Sequence, residues 1–286
     1  MSPLSFRFGT VGAPLKTPKK PGGSAGAVAY SSEIGLFGLE LGWVRAVRVT
    51  PETCAQIKAV AQEKDVAISI HAPYYINLNA DDEEWPKSRQ RLMDAAIYGY
   101  QAGATDIIFH PGSYFERPPQ DVLPLAIQRL QGCVDELRAA GNPVILRPET
   151  MGKSAMLGSL KDVLRMSQEI QGVAPCIDFA HLHARPGDGS INTVDEWSQI
   201  LEMVGDSLGD SALKSLHCHI SGIEYGAKGE REHLPLDQSD LDLQAIFRPL
   251  HAFGCGGRVL CESPVREEDA LKTKLLWSEI SGESEA

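Results

Sequence analysis

Six short apolar segments of this chain each end in a side chain that commonly binds metal ions. The terminal side chains are histidine or glutamate, and the segments are 68–71, 107–110, 144–149, 176–181, 216–219 and 259–262. A stretch with a helical pattern separates each segment from the next. In a barrel of parallel strands the carboxyl ends open onto one face, so side chains from distant parts of the sequence meet there. The pattern therefore predicts a metal cluster at the mouth of a barrel.

Two of these histidines, His71 and His110, follow apolar strands that are neighbours along the chain. A single such histidine is more often a structural hydrogen-bonding residue, but two at matching places favour a shared site, because neutral imidazole is the commonest metal ligand. Glu149 and Glu262 end buried strands in the same way. A carboxylate at such a place is costly unless it is paired or bound to an ion. The alternative to an ion is a salt bridge with an arginine: Arg147, Arg185 or Arg266.

Strands six and seven add further ligand candidates. Asp178 and His181 are close enough in the segment CIDFAHLH to reach the same mouth, and His183 is a candidate for orienting a ligand. On strand seven His217 and His219 lie on the same side, because side chains at i and i+2 point alike. We favour His217 as the metal ligand and assign His219 to ligand orientation or substrate contact.

The segment after strand seven, 222–236, is rich in charge and reads GIEYGAKGEREHLPL. Charged loops are usually only solvated, but this one directly follows a strand that carries ligand candidates. We therefore predict Glu230 and His233 as further metal ligands. Carboxylates and imidazoles without a required cysteine suit Zn²⁺ or Mn²⁺, and Mg²⁺ is an alternative.

Eight apolar runs alternate with eight helical patterns along the chain. The predicted strands are 5–11, 39–44, 66–73, 105–112, 144–150, 174–183, 213–221 and 258–264. Short apolar strands without strict alternation are typical of strands buried on both faces. We predict one (β/α)8 TIM-barrel domain over residues 1–286, with frayed ends at 1–4 and 281–286. A doubly wound sheet is the rival, but GTVGAP at 9–14 is a poor phosphate-binding turn.

The bulk composition limits the classes of partner. The 286 residues carry a net charge of −11, so a role on nucleic acid needs a local basic surface or bound cations. The six cysteines form no CxxC pair and most lie in apolar runs, which is typical of buried reduced thiols. Neither a signal peptide nor a membrane-spanning segment is recognisable, so we expect a soluble cytoplasmic protein.

The order of the ligand candidates resembles that of the endonuclease IV family over almost the whole chain. The segments SIHAPYYINL, FHPGSY, CIDFAHLHA and LCESP are the most similar, and they are most like an archaeal-type branch of the family. The resemblance implies a TIM barrel with two or three Zn²⁺ ions that cleaves double-stranded DNA at abasic sites in DNA repair. It also implies ligand roles: His71 and His110 on one ion, Glu149 bridging to a second, Asp178, His217 and Glu262 completing the second site, and His181 on a third.

Several segments depart from the family pattern. The family has an Asp-Arg-His motif after strand seven, whereas this chain has GEREH at 229–233, with a longer carboxylate and a histidine displaced by one position. Either no third ion binds, or Glu230 and His233 hold it in a new geometry. The family's GxHxSxxGG start, which belongs to its DNA-contacting surface, is replaced by GTVGAP. The usual Glu-Asn after strand five reads Glu149-Thr150.

Two enzymatic hypotheses follow from these residues. In the first, a zinc-activated hydroxide attacks a DNA phosphate. Glu149 and Glu262 are the catalytic carboxylates in this hypothesis. The residues that contact the DNA backbone are Lys16, Lys19, Lys20, Lys153 and Arg185. In the second, the protein is a xylose isomerase-like sugar isomerase or epimerase. It would use one or two Mn²⁺ or Mg²⁺ ions on Glu149, Asp178, His217 and Glu262, with Glu40 in the pocket. A metal-binding protein without catalysis is a third reading.

Overall fold

The chain folds into a barrel of eight parallel strands surrounded by helices. A computed structural model describes residues 6–282. The strands are β1 (Phe6–Val11), β2 (Gly38–Gly42), β3 (Ala67–His71), β4 (Asp106–Phe109), β5 (Ile145–Pro148), β6 (Cys176–Asp178), β7 (Leu216–Ile220), β8 (Gly222–Gly226), β9 (Gly229–Leu234) and β10 (Gly257–Cys261). The helices are α1 (Gly23–Glu33), α2 (Pro51–Glu63), α3 (Trp85–Gln101), α4 (Pro119–Ala139), α5 (Leu160–Glu169), α6 (Phe179–Ala184), α7 (Val194–Leu208), α8 (Leu243–Ala252) and α9 (Glu267–Ser281).

The barrel strands are hydrogen-bonded in the order β5-β4-β3-β2-β1-β10-β7-β6. The remaining seam, between β5 and β6, is joined by the parallel bridges Leu146–Val173 and Glu149–Cys176. The predicted TIM barrel is therefore confirmed. Because all eight strands run the same way, the residues that follow them surround one opening.

Helix starts follow the capping signals of the sequence. The side chain of Thr50 accepts a hydrogen bond from the Thr53 amide at the start of α2, as expected for Thr-Pro-Glu. Reciprocal capping boxes begin α5 and α7. These caps fix where each helix enters and so hold the loops at the mouth.

The amino-terminal end of the barrel is filled by a buried charge network. Asp106 contacts the guanidinium groups of both Arg147 and Arg258, and the side chains of all three are at most 15% exposed. Arg147 also donates to the carbonyls of Pro175 and Ser215. Arg147 therefore does not pair with Glu149, which was the structural alternative to an ion. The network separates the open mouth from the opposite face.

The structure differs from the predicted elements most clearly in three places. β6 ends at Asp178, and the following residues form the short helix α6 because the Asp178 side chain caps it through the His181 amide. The charged segment 222–236 contains the antiparallel hairpin β8–β9 rather than an irregular loop. Helix α9 includes Ser281, which the sequence placed in the tail. The other residues expected to fray, 1–4 and 282–286, lie outside the described residues except for Gly282, which caps α9.

Within residues 6–282, none of the helices combines the length and the apolar character that crossing a membrane requires. All six cysteines are unpaired and buried, as the sequence predicts.

Candidate metal centre

Nine potential ligand side chains meet at the carboxyl-terminal mouth: eight of the predicted ligands, and His219, which was predicted to orient a ligand or contact substrate. His71 is the last residue of β3, and His110, Glu149 and Glu262 directly follow β4, β5 and β10. The others come from β6, α6, β7 and β9: Asp178, His181, His219, Glu230 and His233. Each side chain is placed by the end of a rigid element, which is the arrangement that a preorganised site requires.

The carboxylate of Glu149 lies at the centre of the cluster. Its Oε2 atom is 3.4 Å from His71 Nε2 and 3.3 Å from His110 Nε2. Its Oε1 atom is 3.3 Å from Nδ1 of both His181 and His219. The side chain is completely buried. Four imidazoles therefore converge on one carboxylate group that water does not reach.

The separations of Glu149 from His71, His110 and His219 distinguish ligands of a common ion from an ordinary ion pair. Charge-assisted hydrogen bonds have heavy-atom distances of about 2.7–2.9 Å. Ligand atoms bound to one tetrahedral ion at about 2.1 Å lie about 3.4 Å apart. In addition, Glu149 Oε2 and Asp178 Oδ2 are buried and have no hydrogen-bond partner among residues 6–282. A bound cation would satisfy both oxygens, so the residues present fit a metal centre.

The potential ligand atoms fall into three adjoining groups at the mouth. The first is His71, His110 and Glu149; the second is Glu149, Asp178, His219 and Glu262; the third is Asp178, His181 and His233. Within each group the ligand atoms lie within 4.8 Å of one another. Glu149 belongs to two groups and Asp178 to two, so these carboxylates are placed to bridge neighbouring ions.

Hydrogen bonds to the backbone set the orientation of two ligand rings. His71 Nδ1 lies 3.0 Å from the carbonyl oxygen of Ala72, and His181 Nδ1 lies 2.9 Å from that of Thr150. A carbonyl can only accept, so in the neutral form of each ring Nδ1 carries the proton and Nε2 has the lone pair. Those Nε2 atoms point toward the first and third groups respectively.

Without ions, the carboxylates hold protons on the neighbouring imidazoles. Burial opposes a charge on His71, but its attraction to Glu149, together with that to Glu40 and Glu262, outweighs burial and raises its pKa to about 9. Carboxylates outweigh burial at His181 as well and raise its pKa well above the usual value. At His219, Cys176 together with Glu40 and Glu262 outweighs burial and raises the pKa in the same direction. The site is thus arranged for positive charge, which divalent ions can supply in place of protons.

Strand β7 presents two histidines to the barrel interior, and the structure favours His219 over His217 as the ligand. His219 Nδ1 lies 3.3 Å from Glu149 Oε1 and 3.6 Å from Glu262 Oε1. His217 lies two residues earlier on the strand, and its Nε2 is 2.9 Å from Glu40 Oε2, a normal hydrogen-bond distance. The sequence-based preference for His217, and the assignment of His219 to substrate, are therefore reversed.

One cysteine that the sequence analysis did not single out lies beside these histidines. The thiol of Cys176 and the rings of His217 and His219 are close enough to form a fourth potential ligand group. Burial raises the pKa of Cys176 well above its usual value, which keeps the thiol protonated, whereas the thiolate is the form that binds metals. His217 is already hydrogen-bonded to Glu40. We therefore place this group beneath the metal centre rather than in it.

The hairpin β8–β9 explains how the displaced histidine still reaches the site. Glu232 pairs with Glu224, but the next pair is Glu230 with Tyr225, so Arg231 is an extra residue in β9. Such a bulge reverses the alternation of side chains. Glu230 and His233, three positions apart, therefore face the same side: His181 Nε2 lies 3.6 Å from Glu230 Oε2 and 3.1 Å from His233 Nε2. The third group uses a new local geometry, which was one of the two sequence-based alternatives.

The predicted substrate-binding cations have different surroundings. Lys19, Lys20 and Lys153 are exposed, and Lys16 is exposed but pairs with Glu268 at 2.9 Å. Arg185 donates hydrogen bonds to the carbonyls of the loop after β5, at residues 151, 153 and 156. The guanidinium of Arg185 therefore holds that loop in place, and the structure does not support its assignment to substrate.

Exposed aromatic rings at the mouth were also missed by the sequence analysis. Tyr74 is 52% exposed, and its ring stacks on that of His110 with centroids 5.1 Å apart. Tyr75 and Phe115, on the loops after β3 and β4, are 65% and 55% exposed. Large apolar rings beside the ligand groups offer a surface on which a planar or apolar part of a substrate can pack.

The sequence model of the xylose isomerase-like TIM barrel family matches residues 28–280. The chain belongs to this family. A protein of Methanocaldococcus jannaschii, described as uncharacterized, is 36% identical over 274 residues, covering 96% of this chain and 97% of that protein. The family contains enzymes, and its metal-binding character agrees with the ligand groups described above.

More distant relatives carry the description "probable endonuclease 4". The protein from Staphylococcus carnosus is 30% identical over 173 residues, covering 57% of this chain, and that from Mycoplasma pneumoniae is 28% identical over 188 residues, covering 63%. The matches span 55% and 61% of those two proteins. The similarity therefore extends over only part of this chain and only part of each relative.

Solved structures from two enzyme classes share the fold. Endonuclease IV from Thermus thermophilus has a TM-score of 0.70 at 20% identity, covering 96% of this chain and all of its own. A D-tagatose 3-epimerase-like protein has a TM-score of 0.73 at 16% identity, covering 97% and 98%. At these identities the likeness shows the barrel alone and does not separate a hydrolase from an isomerase.

We predict that ion uptake at pH 7 releases protons. The pKa of His71 is raised to about 9 in the ion-free site, so this ring is charged at pH 7 and must lose a proton to bind an ion. Apparent affinity should therefore rise as the pH approaches 9 and fall as the pH is lowered. Titration calorimetry with Zn²⁺ in two buffers of different ionisation enthalpy measures the release. Equal binding enthalpies in both buffers would contradict the prediction.

We further predict that His233→Ala removes one ion and leaves the others. His233 belongs only to the third group, whereas the first two groups have no ligand on the hairpin. Elemental analysis of the metal-loaded protein after desalting gives the number of ions per chain. Glu232→Ala is the matched control, because Glu232 is an exposed residue of the same strand. An unchanged ion count in His233→Ala, or loss of every ion, would show that the third group is assigned wrongly.

Proposed function

We propose that this protein is a metal-dependent phosphodiesterase of the endonuclease IV type that cleaves DNA at abasic sites. The observation that carries the proposal is the presence of two ligand groups beyond the one that a single ion requires: His71 with His110, and His181 with His233. Both lie against the central group through the shared carboxylates of Glu149 and Asp178. A cluster of this kind suits a reaction in which charge develops on several oxygens at once.

Phosphodiester hydrolysis is such a reaction. The attacking oxygen, the non-bridging oxygens and the leaving oxygen all carry negative charge in the transition state. Ions held by the three groups would neutralise that charge and lower the pKa of bound water. Glu149 and Glu262 are the carboxylates of the second group, and Glu262 is 12% exposed, so it can accept a proton at the open side of the site.

Bound ions would offset the repulsion between this acidic protein and the negatively charged DNA backbone. The ligand carboxylates are those of Glu149, Asp178, Glu230 and Glu262, and three divalent ions would bring about six positive charges against them. Exposed basic residues on loops at the same face add to this: Lys19, Lys20, Arg45, Arg48 and Lys153. A protein of net charge −11 can thus present a locally positive mouth to a polyanion.

The exposed aromatic rings also favour a nucleic acid. Stacking of a base on an aromatic side chain contributes about 1–3 kcal/mol per base. Tyr74, in the loop after β3, lies directly beside His71 and His110. Its ring is placed to contact a base that flanks a missing one, while the phosphate reaches the ions.

Sequence similarity supports the same choice. The relatives described as probable endonuclease 4 match this chain at 25–30% identity over 173–188 residues. This supports the proposal without extending the activity of those proteins to this one.

A sugar isomerase or epimerase is the second candidate function. The second ligand group, Glu149, Asp178, His219 and Glu262, is by itself a three-carboxylate, one-histidine site that suits a single Mn²⁺ or Mg²⁺ ion. Two of its carboxylates could transfer a proton beside a carbonyl. The likeness to the D-tagatose 3-epimerase-like protein motivates this candidate. It leaves the first and third groups without a role, which is why we rank it second.

We expect the zinc-loaded protein to nick a duplex that contains a tetrahydrofuran abasic analogue, and to leave the matching undamaged duplex intact. His110→Ala should lower the cleavage rate by about 100-fold or more, because the first group loses a ligand while the fold is kept. End-labelled strands separated on a denaturing gel give the rate. His251→Gln, a change at an exposed histidine of α8, is the control and should cleave normally.

The same preparation distinguishes the second candidate. A fully loaded protein that leaves the abasic duplex intact, but exchanges solvent deuterium into a small ketose, would replace the phosphodiesterase by an isomerase. An unchanged cleavage rate in His110→Ala would also reject the proposed site.

A further inference from the structure

A completely buried carboxylate lies directly beneath the metal centre without belonging to any ligand group at the mouth. Glu40 is the third residue of β2 and points into the barrel. Its Oε2 atom accepts hydrogen bonds from Ser69 Oγ at 2.9 Å and from His217 Nε2 at 2.9 Å. His219 Nε2 lies 3.3 Å from each of the two carboxylate oxygens. Three side chains from two other strands thus meet on this one group.

The His219 ring connects Glu40 to the metal centre. Its Nδ1 atom faces Glu149 and Glu262, and its Nε2 atom faces Glu40. A neutral imidazole has one protonated nitrogen and one lone pair. A carboxylate stabilises the tautomer with the proton on the nitrogen next to it, so Glu40 favours Nε2–H and leaves the Nδ1 lone pair directed at the second group.

We propose that Glu40 is a positioning residue of the metal centre, which fixes the tautomer and the orientation of His219 and strengthens binding of the ion in the second group. His217 and Ser69 hold Glu40 in turn. His217 is thereby assigned a role: it is a donor to Glu40 rather than a ligand. The proposal rests on the metal centre of the proposed function and is independent of its substrate.

The positions of these residues in the barrel favour this role over direct ligation. Ser69 pairs with Glu40 across β2 and β3, and His217 lies two residues before His219 on β7. All four side chains are at most 1% exposed, so neither water nor substrate reaches Glu40 from the mouth. The short contacts of Glu40 to Ser69 and His217 are hydrogen bonds, which leaves its influence to pass through the His219 ring.

The test is the affinity of the protein for Co²⁺, measured by titration of the ion-free protein against a competing chelator. Glu40→Gln keeps the size and one acceptor oxygen but removes the charge. We expect it to weaken one ion by about 10–100-fold and to change the visible absorption of that ion, while the other ions bind as in the unchanged protein. Glu202→Gln, at an exposed residue of α7 on the outside of the barrel, is the matched control and should bind like the unchanged protein.

A second measurement is made on the unchanged protein and uses a variant only to assign one signal. Long-range ¹H–¹⁵N correlation spectra of the zinc-loaded protein report which nitrogen of each histidine carries the proton. We expect His219 to have a protonated Nε2 and an unprotonated Nδ1. The signal is assigned by its loss in His219→Gln.

Several results would overturn the proposal. The first is a protonated Nδ1 at His219. The second is a Glu40→Gln protein that binds all ions normally. A Glu40→Gln protein that binds every ion equally more weakly, and whose ion-free form has a lower melting temperature, would count in the same way, because Glu40 would then support the fold in general. The third is an ion, bound in addition to those of the three groups at the mouth, that both Glu40→Gln and Cys176→Ser lose. Glu40 would then be a direct ligand of that ion together with Cys176. Because no DNA is present, failure to nick an abasic duplex leaves this test unaffected.

Discussion

The carboxylate of Glu149, buried among four imidazoles, is the interaction on which the rest of the site depends. An isolated buried carboxylate is costly, and the converging rings offset that cost only if they carry protons or share ions with it. The spacing of about 3.3 Å from its oxygens to His110 Nε2 and His219 Nδ1 is wider than a charge-assisted hydrogen bond. The cluster is therefore best understood as a set of ligands separated by the room that cations occupy.

The barrel interior is organised in layers that lead up to this cluster. At the amino-terminal end, Asp106 pairs with Arg147 and Arg258 and closes the barrel. Above it, Glu40 joins His217 to His219. At the mouth lie the ligand groups, with exposed aromatic and basic residues around them. Each layer constrains the next, since the rings that face the ions are held by carbonyls or carboxylates behind them.

Much of the fold and most of the ligands could be predicted from the sequence, because a barrel strand buried on both faces reads as a short apolar run and its end is marked by a polar residue. The features that could not be predicted depend on the geometry within a single strand or loop. His217 and His219 share one face of β7, so only their depth in the barrel separates a ligand from a donor to Glu40. A bulge at Arg231 brings His233 to the site, and the sequence GEREH contains no turn residue that would predict this bulge. The sequence predicts that Arg185 is available to bind substrate, whereas its guanidinium group donates hydrogen bonds to carbonyls of the loop after β5.

The geometry of the mouth implies that Glu149 and the ligands around it bind ions together. Anomalous X-ray diffraction from zinc-soaked crystals, recorded on both sides of the zinc absorption edge, tests it most directly. We predict anomalous density in all three ligand groups at the mouth, with peaks on either side of the Glu149 carboxylate. A fully soaked crystal without a peak within bonding distance of Glu149 would contradict the account.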